Sequence, residues 1–498
     1  MFAMEDKQLE KLTKSVAKGG GIVFIGSVIG KLFSFIMNIL LGRSLGPASY
    51  GLYALGISVV GVINKLAFLG IPSGVLRFGA AFLGNDEKKK FKGLLLSSAG
   101  IMLVTSVVVS IILFIIARPI SLQIFQSPGL TKILKLLALT VPFLVFIKIG
   151  SMTAHSLKRM RYKVLISNIV RPSTKLIFIG ISFLIGFKLY GALVAIVIST
   201  VVTAAFGLYQ TWKLFPDILS NLKPEFNVKE LIKYSLPMIF VGLTYYLASR
   251  TDRFMLGFLS TSSDVGVYNA AAAMAAQLGF FHSALVSIFM PIASDLFNRG
   301  KEEQLHNAYH LVKRWSTYGT TILLLPIMVF PQLFMLVFGK GFERGWIALI
   351  ILPISYLSGS LAGPTGALLQ MSGKQNLEFF NGLIMVALNI GLNYALIPIF
   401  GFYGAAITTV AATLLMNALQ LGEIYHIFSF HPFTRKHLVL GTVLFIGLIF
   451  AGGLYFYVSG WVKVLLFLLL VTLLLSFIYR NRTKEDMVII NALKRRVS

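Results

Sequence analysis

The chain has no cysteine and few acids. Over 498 residues the absence of Cys excludes disulfides, thiolate metal ligands and cysteine nucleophiles. Only 18 Asp and Glu stand against 45 Lys and Arg, for a formal net charge of +27. No Gly-x4-Gly-Lys-Ser/Thr loop occurs, so the chain is not its own ATPase by that route, and no helix-borne His-Glu-x-x-His motif offers zinc. No metal and no cofactor are expected.

What is present is apolar. Hydrophobic residues make up 56% of the chain, mean hydropathy is +0.82 and only 13% of residues are charged. The hydrophobic runs reach the roughly 20 residues that cross a bilayer. Fourteen spans are read, the first over 21–42. It has a basic flank but no small-residue cleavage site, and it is taken as a retained helix rather than a signal peptide.

Loop charge supports an even count. Thirty Lys and Arg fall in the tails and loops of one side, eight on the other, and seven inside the spans. The positive-inside rule then predicts a multi-pass protein of the cell membrane with both termini cytoplasmic. The same rule accounts for the net charge as topology rather than nucleic-acid binding.

The chain also repeats itself. Gly42, Gly51 and Tyr53 recur as Gly257, Gly266 and Tyr268 at one offset of 215. Tyr190-Gly191-Ala192 returns as Tyr403-Gly404-Ala405, and Asn168 as Asn381, both at offset 213. The expected organisation is an N-lobe over 1–212 (spans one to six), a cytoplasmic linker over 213–234 and a C-lobe over 235–426 (spans seven to twelve). Two appended spans and a basic cytoplasmic tail fill 427–498. Six spans per unit give both copies the same orientation, and folds of this kind place substrate between the halves. The fold class is all-α, polytopic, with two pseudo-symmetric six-helix lobes.

Several segments carry a resemblance, among them "LGRSLGPASYGLYAL", "YSLPMIFVGLTYYLASRTDRFMLG", "MPIASDLFNRGKEE" and "ALLQMSGKQN". Together they are similar to the polysaccharide-transporter branch, with its O-antigen (Wzx-like) oligosaccharide flippases, of the multidrug/oligosaccharidyl-lipid/polysaccharide (MOP) exporter superfamily. The resemblance runs over about 15–426. It implies a MATE-like fold of two lobes forming a V, alternating access, and polyprenyl-(pyro)phosphate-linked oligosaccharide as cargo moved to the outer leaflet. The multidrug branch often has an acid in its first span; Lys31 and Asn38 stand there instead.

The seven cations inside spans are Lys31, Lys65, Lys148, Arg171, Lys175, Arg250 and Arg253, facing Asp252 as the one clearly intramembrane acid. A cation at the bilayer centre costs about 2.5–3.5 kcal/mol on insertion scales, so such residues need a protein or water environment. Lys31, Arg171, Lys175, Arg250 and Arg253 are expected to bind the anionic substrate. Arg171 and Lys175 share a helix face at i and i+4, beside Pro172. For Lys31, the neighbouring Gly26 and Gly30 read as a close-packing face. Arg250, Asp252 and Arg253 read either as a local charge network or as an Arg pair with a protonatable Asp. His282 is a core histidine or a coupling group. Lys65 and Lys148, near the cytoplasmic ends of their spans, are expected to snorkel.

Three function classes follow from these residues. The leading one is a flippase, not an enzyme, with lipid-linked oligosaccharide, membrane lipids and glycan-assembly enzymes as partners. A multidrug or cation antiporter would want acids in its cavity. A membrane-embedded glycan polymerase or glycosyltransferase would want large outer loops or paired carboxylates.

Overall fold

A computed structural model of the chain describes residues 2–429, 435–458 and 460–480. Its helices run α1 (Phe2–Ala67), α2 (Ile71–Gly84), α3 (Lys88–Pro119), α4 (Gly129–Ala138), α5 (Thr140–Ser156), α6 (Met160–Val164), α7 (Arg171–Leu184), α8 (Leu189–Leu214), α9 (Val228–Ala248) and α10 (Thr251–Leu259). Then follow α11 (Ser262–Ala275), α12 (Gly279–Asn298), α13 (Glu302–Val329), α14 (Pro331–Leu336), α15 (Trp346–Ala362), α16 (Thr365–Met371), α17 (Gln375–Phe400), α18 (Phe402–Phe428), α19 (Arg435–Tyr457) and α20 (Gly460–Arg480). The fold is all-α. The basic tail after Arg480 lies outside the described residues.

Among the described residues, ten helices are long and apolar enough to cross a membrane, and the α4–α5 pair, bent by 41°, adds another. Val23–Ala67, at 45 residues, would extend about 68 Å, roughly twice a bilayer core. It breaks at Gly46, whose φ of 71° suits glycine, and Pro47 then starts the second half. Counting α1 twice, and adding α13 and α19, gives a number consistent with the fourteen spans expected. The outer faces are apolar, as lipid requires: Leu184 is 88% exposed, and Tyr457 and Trp461 sit exposed where α19 gives way to α20.

The chain packs as two compact units, residues 1–266 and 267–498, so α9 and α10 belong with the first unit by contact. This partition follows packing and differs from the lobe boundaries at 212 and 235 expected from the repeat.

In the first unit the glycines of the repeat do steric work. A Cβ on Gly51 would stand 1.7 Å from the Ser262 carbonyl oxygen, and one on Gly266 would stand 2.0 Å from that of Pro47. Gly51 and Gly266 are repeat mates, and so are Pro47 and Ser262, at the same offset of 215. The contact is therefore reciprocal, as expected where an element meets its own copy about a two-fold axis. The linker after α8 is strapped to the start of α3. Lys92 Nζ donates to the Ser220 carbonyl at 2.7 Å, and Glu225 N–H donates to Lys89 O at 3.1 Å. Phe91 meets Phe215 edge-on at 4.9 Å, and only a glycine at 93 admits the Glu225 carbonyl.

In the second unit α13 packs through Tyr318, Leu325 and Val329 on Leu454 of α19 and Leu470 and Leu474 of α20. Lipid removes the hydrophobic drive between helices, leaving packing and interhelical hydrogen bonds to join them. Between α17 and α18 the polar joints are reciprocal: Gln420 Nε2 donates to Glu378 at 2.7 Å, and Asn381 Nδ2 donates to Glu423 at 2.8 Å. Glu378 is buried. It is a second buried acid in addition to Asp252, received by an amide on the next helix.

Candidate functional site

The site is assembled by a helix irregularity. Between α6 and α7, residues Leu165–Val170 form a π-helical stretch, and Arg171 and Pro172 open α7 directly after it. π-Bulges occur often at functional sites because the wider turn displaces the side chains around it. Helix α1 closes on this stretch. A Cβ on Gly30 would meet the Asn168 carbonyl oxygen at 2.5 Å, and one on Gly26 would meet the Val164 side chain at 1.9 Å. Asn168 Nδ2 also donates to Ser27 Oγ at 3.1 Å. The packing role read for Gly26 and Gly30 thus holds, and backbone contact at Gly30 fixes the course of α1 beside Lys31.

Two cavities result, both within the first unit. One, of about 380 Å³, is lined by Lys31, Arg171 and Lys175, with Ser27, Ser34 and Asn168. The other, of about 350 Å³, is lined by Lys65, Lys148 and Arg171, with Asn64, Ser73 and Tyr246. Arg171 borders both. No Asp or Glu is among the lining residues of either. No carboxylate lies within ion-pair distance of Arg171, Lys175, Lys148 or Lys65 among the described residues. Arg171 and Lys175 are half-buried, whereas Lys31, Lys65 and Lys148 are exposed. Such an arrangement receives an anion: a guanidinium fork matches phosphate geometry, and ammonium groups add point charge.

Three expected binding residues, Lys31, Arg171 and Lys175, therefore come together. Lys65 and Lys148, expected to snorkel, are exposed and line a cavity with Arg171. Their depth was readable from the sequence, but the helix face they occupy was not. Arg250 and Arg253 do not line these two cavities. The seventh span breaks at Ser249–Arg250, so Arg250 caps α10 rather than sitting within a continuous helix. It interacts electrostatically with Arg253, Tyr246, Tyr53 and Tyr50. Arg253 Nη1 donates to the Ser249 carbonyl at 3.3 Å. Asp252 is buried in the first turn of α10. His282 lies in the second unit, half-buried, with a buried Nδ1 that has no hydrogen-bond partner. Asn38, where the multidrug branch often has an acid, accepts from Tyr50 OH at 3.0 Å and ties the two halves of α1 together.

Residues 16–297, more than half of the chain, match the family described as "Polysaccharide biosynthesis protein". The chain belongs to that family. Within the polysaccharide biosynthesis proteins, it is 25% identical over 450 residues to the "Probable low-salt glycan biosynthesis flippase Agl15" of Haloferax volcanii, covering 87% of this chain and 88% of the relative. Two solved structures share the fold. Lipid II flippase MurJ in an inward closed conformation aligns with a TM-score of 0.73 at 12% identity, over 92% of this chain and 99% of its own. An inward-facing multidrug-resistance MATE transporter of the MOP superfamily aligns at 0.69 with 17% identity, over 80% and 95%. The expected MATE-like architecture is thereby shown, in a multi-pass membrane protein.

Proposed function

We propose that this polysaccharide biosynthesis protein is a flippase that moves a polyprenyl-(pyro)phosphate-linked oligosaccharide from the cytoplasmic to the outer leaflet by alternating access. The observation that carries this reading is five cations lining two cavities that share Arg171 and, among the described residues, contain no carboxylate. The (pyro)phosphate is held at Lys31, Arg171 and Lys175 while the polyprenyl tail stays in lipid. The two six-helix repeats, over 1–212 and 235–426, supply the alternating elements. Both termini are cytoplasmic. Moving one elementary charge through 100 mV is worth about 2.3 kcal/mol, so an inside-negative potential favours outward movement of the anion. Arg250, Arg253, Asp252 and His282 remain candidates for coupling or for later steps along the path.

The MATE-like fold also suits a drug antiporter, but a cationic drug is repelled by Lys31, Arg171 and Lys175. The names of the curated flippase relative and of MurJ favour transport over glycan polymerisation or glycosyl transfer. The test is to delete the gene and assay lipid-linked glycans by leaflet. Accumulation on the cytoplasmic face, reversed by the natural chain, is expected. Unchanged glycan lipids with altered drug tolerance would reverse the choice.

A further inference from the structure

We propose that the cavity at Lys65, Lys148 and Arg171 is a capture station for a phosphate-bearing headgroup, from which Arg171 hands the anion to a second station at Lys31 and Lys175, where Lys175 is the deepest of these cations. The proposal rests on the flippase reading and adds a second anion subsite with an order of use.

Depth gives the order. Lys65 lies in the last turn of α1 and Lys148 about two turns before the end of α5. At 1.5 Å per residue they stand roughly 3 Å and 12 Å from those ends. Arg171 and Lys175 stand roughly 16 Å and 22 Å beyond the start of α6 at Met160 on the same measure. With these helix ends on the cytoplasmic side, the cations form a ladder from shallow to deep. Arg171 occupies the step common to both cavities. An anion that slides along Arg171 exchanges one ammonium partner for the next and is never left uncompensated in a low-dielectric setting. That matters because a desolvated, unpaired charge is the costliest state on such a path.

The shallow cavity is also built for more than charge. Gly61 lacks the Cβ that would collide with the Tyr246 hydroxyl at 1.7 Å, so the ring can seat against α1. Tyr246 OH donates to the Ser58 carbonyl at 3.1 Å and is fixed there. Its ring lies 6.0 Å from Lys65 Nζ and forms a wall of the cavity. Asn64 shares the same lining. Phosphoryl oxygens suit the three cations. The ligand class is a phosphate-bearing headgroup.

The experiment measures transport of a fluorescent short-chain polyprenyl diphosphate sugar in proteoliposomes, with inorganic pyrophosphate as competitor. K65Q/K148Q is expected to raise KM on the order of tenfold or more, with a smaller fall in maximal rate and a parallel loss of pyrophosphate inhibition. K31Q/K175Q is expected to lower the maximal rate chiefly. Pyrophosphate is expected to compete with the labelled lipid in the natural chain; no competition there would overturn the phosphoryl assignment of the cavity. An unchanged KM in K65Q/K148Q, or a lost rate at unchanged KM, overturns the capture station and leaves the second station standing. Normal transport by both double variants overturns the flippase reading itself. Where K65Q/K148Q fails to give a monodisperse protein, K148Q alone is read by the same criteria.

Discussion

Replacing Gly51 by alanine tests the reciprocal crossing of the repeats. The new Cβ would lie 1.7 Å from the Ser262 carbonyl oxygen, against 3.4 Å for ordinary contact. The two backbones must therefore separate by roughly 1.7 Å, and no side-chain rotation can relieve a clash with a carbonyl. Overpacking costs about 1–3 kcal/mol where side chains can adjust, so the upper end applies. For a chain of this size, near 1 °C per kcal/mol, the melting temperature should fall by about 3 °C. Gly266→Ala should behave alike, since its Cβ would meet Pro47 O at 2.0 Å. Gly100→Ala is the control: nothing lies within 4 Å of its Cβ, and helix propensity favours alanine by up to about 1 kcal/mol. Thermal unfolding in detergent, followed by intrinsic fluorescence or gel filtration, gives the readout. If Gly51→Ala melts within about 1 °C of the natural chain, the close crossing and its symmetry argument fail.

Other outcomes follow from named contacts. Single cysteines at Met4 and Ser498, in a chain with none of its own, should resist impermeant thiol reagents applied outside intact cells; labelling there would reverse the proposed topology. Glu378→Ala should destabilise by about 1–3 kcal/mol because it strands the Gln420 amide between α17 and α18, whereas Glu378→Gln should cost less. A thermal melt in which both variants match the natural protein would remove that joint from the account. Gly61→Ala should displace Tyr246 into the shallow cavity and weaken headgroup binding; unchanged binding would show that the Tyr246 wall is not part of the site.

Much of the fold was legible because membrane helices announce themselves by length and loop charge. The break at Gly46–Pro47, the helix ends around the linker and the spacing of Gly51 and Gly266 were all visible as residue types. Irregularities within spans were not. Nothing local in Ser249–Arg250 signals a break, and the π-helical stretch before Arg171 depends on how α1 packs at Gly30. The candidate site was legible for Lys31, Arg171 and Lys175, since deep cations need an environment. Lys65 and Lys148 were legible as shallow cations, but the cavity they share with Arg171 was not, because it depends on how α1, α5 and α9 pack. Glu378 was missed because its partner Gln420 lies on another helix, 42 residues away.

The central claim is that these cations hold an anionic lipid headgroup during transport, and Arg171 carries it most directly because it borders both cavities. The decisive measurement compares leaflet-to-leaflet transfer of a polyprenyl diphosphate sugar by the natural chain, Arg171→Ala and Arg171→Lys in proteoliposomes with matched protein incorporation. The account predicts a loss of about tenfold or more for Arg171→Ala and partial retention for Arg171→Lys, which keeps charge but loses the planar fork. Transfer by Arg171→Ala at the natural rate would contradict it.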